Sequence, residues 1–289
     1  MKKILIFGGN GMLGSEIALY LSEKKKYKIF VTVRELKLIK NYNFLENCKI
    51  LTNVDVLNNS KIEEIIKKIK PNIIINCVGV IKQKFKQDNI KNIFLINSLF
   101  PKHLSYLSEV YKYRFIHFST DCVFSGKSGN YTEESFCDAN DYYGISKFLG
   151  ETVNKKNVVI RTSIIGHELN SNNSLLNWFL TQKKSIKGYS NAIFSGFTTP
   201  ELARILYNYI IKNEKLSGLF HLSSKPINKY NLLLIIKKIY KKKIKIVKDK
   251  KIVVDRSLNS QKFIRMTKFK PRSWEDMIYD LFNYKNLKN

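Results

Sequence analysis

A tyrosine and a lysine stand four positions apart in the segment Tyr143-Gly-Ile-Ser-Lys147. On a helix this spacing places the phenol and the ammonium group side by side on one face. A free phenol has a pKa of about 10, and a neighbouring cation stabilises the phenolate and lowers that value. The pair therefore predicts a proton exchanged by Tyr143 near neutral pH, with Lys147 also placed to hold a ribose.

Thr120 is a third polar residue that the same chemistry would use. It follows the apolar run 115–119, which reads as a strand. Ligands of parallel α/β sheets gather at the carboxyl ends of the strands, so the hydroxyl of Thr120 is expected to reach a substrate oxygen. A Tyr-x-x-x-Lys pair alone also fits two exposed residues on a helix. The Ser119-Thr120 strand end favours the catalytic interpretation, in which Tyr143 exchanges a proton at a substrate oxygen that Thr120 contacts.

A glycine pattern near the start of the chain predicts the partner for such a reaction. Gly8, Gly11 and Gly14 form G-x-x-G-x-x-G directly after the first apolar run, with Met12 and Leu13 between the last two. Glycines at these positions allow a tight turn and a close approach of the backbone to a pyrophosphate, and the N-terminus of the next helix attracts the anion. The position between strand and helix indicates a dinucleotide cofactor.

Further cofactor contacts are expected at the ends of the next three strands. Arg34 lies 20 residues beyond Gly14, where an arginine suits the 2′-phosphate of NADP(H). Glu35 beside it leaves NAD(H) open. Asp55 and Val56 follow the third strand and would meet the adenine. Cys77, Val78 and Gly79 follow the fourth strand and would meet the cofactor ribose.

The elements that must position these residues alternate between short apolar runs and helical periodicity, which is typical of a parallel sheet with crossover helices. The runs are residues 4–7, 29–33, 49–51, 73–76, 115–119 and 158–161, and the helices are residues 14–23, 60–70, 90–113 and 142–155. We predict an α/β fold: a Rossmann-type, doubly wound parallel sheet over 1–165 with a smaller C-terminal substrate-binding lobe over 166–289. Part of that lobe, about 215–260, is expected to return to the main sheet through a strand at 219–222.

The net charge of +28 raises the possibility of nucleic-acid binding. The 51 basic residues are 44 lysines and 7 arginines, and the lysines are spread over the whole chain. Proteins that read bases or phosphates favour arginine forks, so no nucleic-acid partner is predicted. The run 237–251 is the densest and would suit a substrate that carries a diphosphate.

Cysteine, histidine and hydropathy patterns exclude other classes. Neither the four cysteines nor the four histidines show the spacing of a metal site, and we predict none. No apolar stretch reaches the roughly 18 residues of a membrane-spanning helix, and the first strand is too short for a signal peptide. The expectation is a cytoplasmic protein without a membrane partner.

With these motifs the chain resembles the extended short-chain dehydrogenases, and within them the dTDP-4-dehydrorhamnose reductase group. The resemblance rests on the segments from Gly8 to Gly14, from Ser119 to Phe124, from Tyr143 to Glu151, from Arg161 to Ser163 and from Arg256 to Ser260. It implies NADPH-dependent reduction of a nucleoside-diphosphate 4-keto-6-deoxy sugar for surface polysaccharide synthesis, with Tyr143 as proton donor and Thr120 hydrogen-bonded to the oxygen. Related dehydratases have Thr-Asp-Glu at the strand end, whereas Cys122 here lacks the acid that eliminates water.

The resemblance further implies that the second lobe grips the nucleotide-sugar, and it allows a homodimer. Trp178, Tyr189 and Phe194 are candidates to stack on the base, or to form core. Arg161 and Arg256 are candidates to bind the diphosphate, or to form structural ion pairs. Two alternatives to the reductase remain open: a nucleotide-sugar epimerase that keeps its cofactor bound, and a non-catalytic regulatory subunit with the same fold.

Overall fold

The computed structural model describes residues 1–35, 47–81, 90–169 and 171–285. Its strands are β1 (Lys2–Phe7), β2 (Tyr27–Thr32), β3 (Lys49–Leu51), β4 (Ile73–Asn76), β5 (Arg114–Thr120), β6 (Val158–Thr162), β7 (Ile164–Ile165), β8 (Ile186–Phe194), β9 (Phe197–Thr198), β10 (Gly218–His221), β11 (Ile227–Asn228) and β12 (Ile246–Asp255). Its α-helices are α1 (Met12–Glu23), α2 (Asn59–Ile69), α3 (Ile90–Phe94), α4 (Phe100–Tyr111), α5 (Tyr142–Leu149), α6 (Leu175–Thr181), α7 (Thr199–Ile205), α8 (Lys229–Ile239), α9 (Gln261–Thr267) and α10 (Trp274–Lys285).

Seven strands form one sheet in the order β10-β6-β5-β4-β1-β2-β3, and every neighbouring pair is parallel. Apolar residues on both faces explain why these strands are buried between helices. On β1, Ile4 and Ile6 join one core cluster, while Leu5 and Phe7 join the cluster on the other face. The predicted doubly wound parallel sheet is confirmed.

The strand expected at 219–222 is β10, which pairs with β6 at the edge of the central sheet. A second sheet of three strands contains β8 between β11 and β12, and β7 pairs with β9. The division at residue 165 stays a prediction. Among the described residues, no helix has both the length and the apolar character needed to cross a lipid bilayer.

Helix α5, which carries Tyr143 and Lys147, ends earlier than the sequence predicts. The expected helix runs to residue 155, but α5 ends at Leu149. Gly150 lies so close to the neighbouring helix that an added Cβ would be 2.1 Å from the carbonyl oxygen of Asn97. The side chain of Asn154 then accepts hydrogen bonds from the backbone of residues 156 and 157, which forms a turn in place of another helical turn.

The expected helix 90–113 is interrupted. A π-helical segment, Leu95–Leu99, joins α3 to α4. Asn97 within it is buried, and its amide is hydrogen-bonded to the main chain of Val80 and to the Ser146 hydroxyl. The irregular turn thus links this helix to the loop after β4 and to α5.

Candidate active site

The carboxyl ends of β1, β4 and β5 are adjacent because these three strands are neighbours at the centre of the sheet. The chain order reverses between β1 and β4, which is the point where ligands bind in doubly wound sheets. Gly8 follows β1, Cys77 follows β4 and Thr120 ends β5. The predicted cofactor loop and the predicted catalytic threonine therefore lie at the same edge.

The glycine loop between β1 and α1 is packed so closely that side chains would not fit. Gly8 has φ +86°, a conformation that favours glycine, and its carbonyl accepts a hydrogen bond from Gly11 over 3.0 Å. A Cβ on Gly14 would lie 2.2 Å from the Gly8 oxygen. Met12 and Leu13 begin α1, whose N-terminus therefore faces the loop. This cradle fits a pyrophosphate.

Gly9 is a further requirement of the loop that the sequence did not single out. A Cβ there would lie 1.7 Å from Cγ1 of Val31 on β2. The Gly9 amide donates to the carbonyl of Thr32 over 3.0 Å. The loop is thereby fixed to the end of β2, two residues before Arg34.

The other predicted cofactor contacts border this loop. Arg34 is exposed, and its Nε lies 4.0 Å from Glu35. Asp55 is exposed after β3, where its carboxylate accepts a hydrogen bond from the Leu57 amide, and Val56 packs on the core. A Cβ on Gly8 would lie 3.0 Å from Val78, and the amide of Cys77 donates to Phe7 over 3.0 Å. These positions follow β1 to β4 at the carboxyl edge of the sheet, where an extended dinucleotide would bind.

Helix α5 reaches the end of β5 because Gly144 has no side chain. An added Cβ would lie 2.2 Å from the carbonyl oxygen of Cys122, in the short 3₁₀ turn Asp121–Val123. Asp141 caps the helix by accepting a hydrogen bond from the Gly144 amide over 2.8 Å. This close packing brings Tyr143 within hydrogen-bonding reach of Thr120.

Thr120 itself is held by its neighbours. Its Oγ1 donates to Asp121 Oδ1 over 3.1 Å and accepts from the Cys122 amide over 3.1 Å. The other Asp121 oxygen accepts from the Ser163 hydroxyl, and burial raises the pKa of this carboxyl. Asp121 and Ser163 belong to two of the sequence motifs, but only the structure shows that they orient the threonine.

The state of Tyr143 differs from the expectation. Burial raises the pKa of its phenol above the usual value, and the hydrogen bond with Thr120 only partly opposes that effect. The Lys147 ammonium donates instead to the carbonyl of Phe118 over 2.7 Å. The predicted lowering of the Tyr143 pKa by Lys147 is therefore wrong. A phenol that stays protonated at neutral pH is nevertheless the form that a general acid needs.

Lys147 lies beneath the predicted ribose site. A Cβ on Gly79 would lie 3.9 Å from the Lys147 Nζ, so the glycine leaves the space above the ammonium open. Burial lowers the pKa of Lys147 to about 8, while the charge of Glu151 acts in the opposite direction. The ammonium is thus charged at neutral pH and close to Gly79, after β4.

The two arginine candidates for the diphosphate have different partners in the structure. Arg161 is buried and forms a two-pronged ion pair with Glu151, so its structural alternative is the one observed. Arg256 donates from Nε to the carbonyl of Phe124 over 2.8 Å, and its charge partly opposes the rise in the pKa of Asp121 that burial causes. Arg256 therefore stays a candidate for the diphosphate.

Of the three aromatic candidates, Trp178 lies on α6, and Tyr189 and Phe194 lie on β8. The Phe194 ring packs 5.3 Å from the ring of Trp274, against the main core, which matches the core alternative. Trp178 on α6 is exposed, and Tyr189 on β8 is half-buried, so both stay candidates for stacking. Within the described ranges, no cluster of histidine, cysteine and carboxylate side chains could hold a metal ion.

Comparisons with known proteins found a matching family model and a curated relative. The family model described as RmlD substrate binding domain matches residues 1–286. A dTDP-4-dehydrorhamnose reductase from Aggregatibacter actinomycetemcomitans is 25% identical over 237 residues, which cover 78% of this chain and 74% of the relative.

Two solved structures from Bacillus anthracis have a similar fold. A dTDP-4-dehydrorhamnose reductase in complex with NADP aligns with a TM-score of 0.81 at 21% identity, covering 98% of this chain and 99% of the other. A dTDP-glucose 4,6-dehydratase in complex with NAD aligns with a TM-score of 0.80 at 17% identity, covering 100% and 98%. At these identities the likeness concerns the fold.

Proposed function

The chain belongs to the RmlD substrate-binding-domain family, and from this premise we propose that it reduces a nucleoside-diphosphate 4-keto-6-deoxy sugar with NADPH, in nucleotide-sugar synthesis for surface polysaccharide. One observation carries the proposal. Thr120 and Tyr143 are hydrogen-bonded at the end of β5, and Lys147 lies close to Gly79 after β4, at the edge of the sheet that also holds the glycine loop. The curated relative named as a dTDP-4-dehydrorhamnose reductase supports this choice of substrate.

NADP(H) is the proposed cofactor, with NAD(H) as the alternative. Arg34 lies exposed at the end of β2, where its guanidinium can pair with a 2′-phosphate. The reductase structure in complex with NADP supports this assignment, and the dehydratase structure in complex with NAD shows that the same fold accommodates the other cofactor. When bound, the nicotinamide supplies the hydride.

The side chains of the site supply binding and a proton. The Thr120 hydroxyl can turn from Asp121 towards the keto oxygen and donate a hydrogen bond to it. Tyr143 then gives its phenolic proton to the oxygen as negative charge develops there. Lys147, whose ammonium also donates to the Phe118 carbonyl, holds the ribose of the cofactor. We expect Cys122, beside Tyr143, to leave water elimination without an added acid.

We propose that the C-terminal part, 166–289, provides the sugar-nucleotide side of the cleft. Arg256, Trp178 and Tyr189 are its candidate contacts for diphosphate and base. The return of β10 to the central sheet joins this part to the cofactor-binding part. Its position supports a substrate held between the two.

We propose a homodimer in the cytoplasm. Three apolar side chains on one side of the helix containing α4 are exposed: Leu99, Tyr106 and Val110. Phe148 and Val153, at the end of α5 and just beyond it, are exposed as well. Apolar patches of this kind favour association.

The four free cysteines fit a reducing compartment, which supports the proposed location in the cytoplasm.

The decisive experiment follows NADPH absorbance while the protein is given a panel of 4-keto-6-deoxy sugars on different nucleoside diphosphates. We expect steady oxidation of NADPH with at least one sugar. Tyr143→Phe should lower kcat by about 10²- to 10⁴-fold and leave NADPH binding nearly unchanged. Absence of turnover with every sugar would reject the proposed substrate class.

The same assay separates the alternatives. An epimerase would convert its sugar without net use of NADPH. A regulatory subunit would bind NADPH and leave every sugar unchanged, and its cellular role would survive Tyr143→Phe. The hydrogen bond between Thr120 and Tyr143 favours a catalytic protein over a regulatory subunit, and the relative named as a reductase favours reduction over epimerisation.

A further inference from the structure

A buried ion pair lies one helical turn beyond Lys147. Arg161 on β6 donates to Glu151 from Nε over 2.8 Å and from Nη2 over 2.7 Å, so both carboxylate oxygens are engaged. The two side chains are only 3% and 7% exposed. A hydrophobic pair of similar size would often be as stable, so stability alone does not account for this buried ion pair.

The same carboxylate is attached to the strand that carries Thr120. Ser119, directly before Thr120, donates from Oγ to Glu151 Oε1 over 2.6 Å. The Glu151 amide donates to the carbonyl of Phe148 over 3.0 Å, so Glu151, two residues beyond α5, is attached to the last turn of that helix. One side chain therefore joins the catalytic helix, the catalytic strand β5 and the adjacent strand β6.

Glu151 also acts on Lys147 through its charge. Burial lowers the pKa of Lys147, and among the groups that raise it Glu151 has the larger effect and Cys77 the smaller. His117 on β5 faces Lys147, but burial and the lysine charge hold the pKa of this imidazole well below its usual value, so it is neutral. The guanidinium of Arg161 is already paired with Glu151.

We propose that Glu151 is a positioning residue for the reduction. Through Ser119 and Arg161 it fixes α5 against β5, and its negative charge keeps Lys147 in the protonated form that holds the cofactor ribose. This inference rests on the proposed function, since it assigns Glu151 to the same site.

Glu151→Gln tests the electrostatic part. The dissociation constant of NADPH is measured by nicotinamide fluorescence across the pH range in which Lys147 titrates. In the unaltered protein, affinity should fall as the pH rises through about 8, where Lys147 loses its proton. Without the carboxylate this midpoint should move down by about one pH unit. Glu64→Gln, on the exposed surface of α2, is the matched control and should leave the midpoint unchanged. An unmoved midpoint in folded Glu151→Gln overturns the electrostatic role.

Ser119→Ala tests the positional part, and it also decides the question if Glu151→Gln does not fold. This variant keeps the charge and the ion pair but removes the link to β5. We expect kcat to fall about tenfold, because small misplacements of reacting groups are costly. KM and the pH midpoint should stay the same. A Ser119→Ala variant with unaltered kcat contradicts the proposal.

The two readouts keep this inference separable from the proposed function. NADPH binding needs no sugar, so the midpoints of Glu151→Gln and of the unaltered protein can be compared whichever sugar is reduced. A protein that binds NADPH but reduces none of the 4-keto sugars would reject the proposed substrate alone. If the protein reduces a 4-keto sugar but Glu151→Gln leaves the pH midpoint of NADPH binding unchanged, only the role of Glu151 is rejected.

Discussion

Lys147 occupies a position that is unfavourable for its charge. Its side chain is 5% exposed, and burial lowers its pKa from 10.5 to about 8. Because the folded value lies below the unfolded value, the charged lysine destabilises the fold at neutral pH. The penalty is fully present below pH 8 and is relieved as the pH rises towards 10.5.

We therefore expect Lys147→Met to be more stable than the unaltered protein and inactive. The pKa shift corresponds to about 3 kcal/mol, and loss of the hydrogen bond to the Phe118 carbonyl offsets about 1 kcal/mol of it. Urea unfolding at pH 7 should show a net gain of about 2 kcal/mol that shrinks at alkaline pH. Lys238→Met, on the exposed surface of α8, should change stability little. A less stable Lys147→Met variant would contradict the view that burial of this charge is a cost.

Arg34 should decide between the two forms of the cofactor. Its guanidinium is largely exposed and has only a distant contact, 4.0 Å, with Glu35. Arg34→Ala should raise KM for NADPH by about tenfold to a hundredfold, the usual worth of a hydrogen-bonded charge pair. KM for NADH should hardly change. Arg265→Ala is the control, because that arginine is also exposed and lies on α9. Equal losses with both cofactors would remove Arg34 from the 2′-phosphate site.

The sequence predicts Thr120, Tyr143 and Lys147 because their types and spacing already specify chemistry. It does not predict what holds them. Gly144 matters through the Cys122 carbonyl, 2.2 Å from its missing Cβ, and Glu151 matters through Ser119 on β5 and Arg161 on β6. The error on the Tyr143 pKa has the same origin. Spacing places the lysine on the same helical face, but burial and the Phe118 carbonyl decide where its ammonium points.

At the scale of elements, the critical contact is that of α5 with the turn after β5. Gly144→Ala would place a methyl group against the Cys122 carbonyl and 2.6 Å from the Ala139 side chain. The helix must then shift away from Thr120. We expect a fall in kcat of about a hundredfold, as for misplacements of about 1 Å, with NADPH affinity nearly retained because the glycine loop is untouched. Steady-state and binding measurements check this together. A variant with full kcat would show that the turn can yield.

The central strands were predictable because each is a continuous apolar run. Strands β8 and β12 were not predictable, because their sequences lack such a run. Strand β12 has the segment Ile-Val-Lys-Asp-Lys-Lys-Ile-Val-Val-Asp, with a register shift between Asp249 and Val253, and much of it is exposed. Such a strand lacks the alternation that signals one buried face. Gly188 interrupts β8 where the Tyr230 ring packs against it.

At the scale of the whole molecule, net charge and apolar surface act in opposite directions. A charge of +28 makes two copies repel each other. The exposed apolar residues of α4 favour their association. Salt screens the repulsion and leaves apolar contacts intact, so the proposed dimer should become tighter as the ionic strength rises.

The dimer itself can be tested by one pair of substitutions. Val110→Glu places a carboxylate on the apolar side of α4, beside Tyr106, and should convert the dimer to a monomer of 33.8 kDa in light scattering. Val253→Glu is the control, because this valine is 78% exposed on β12, away from α4. It should leave the mass at twice the monomer value. If the unaltered protein has the monomer mass even at high salt and micromolar concentration, the apolar side of α4 has another role. If Val110→Glu does convert a dimer to a monomer, the activity of that monomer shows whether each site is complete within one chain. The contacts of Thr120, Tyr143 and Lys147 predict that it is complete.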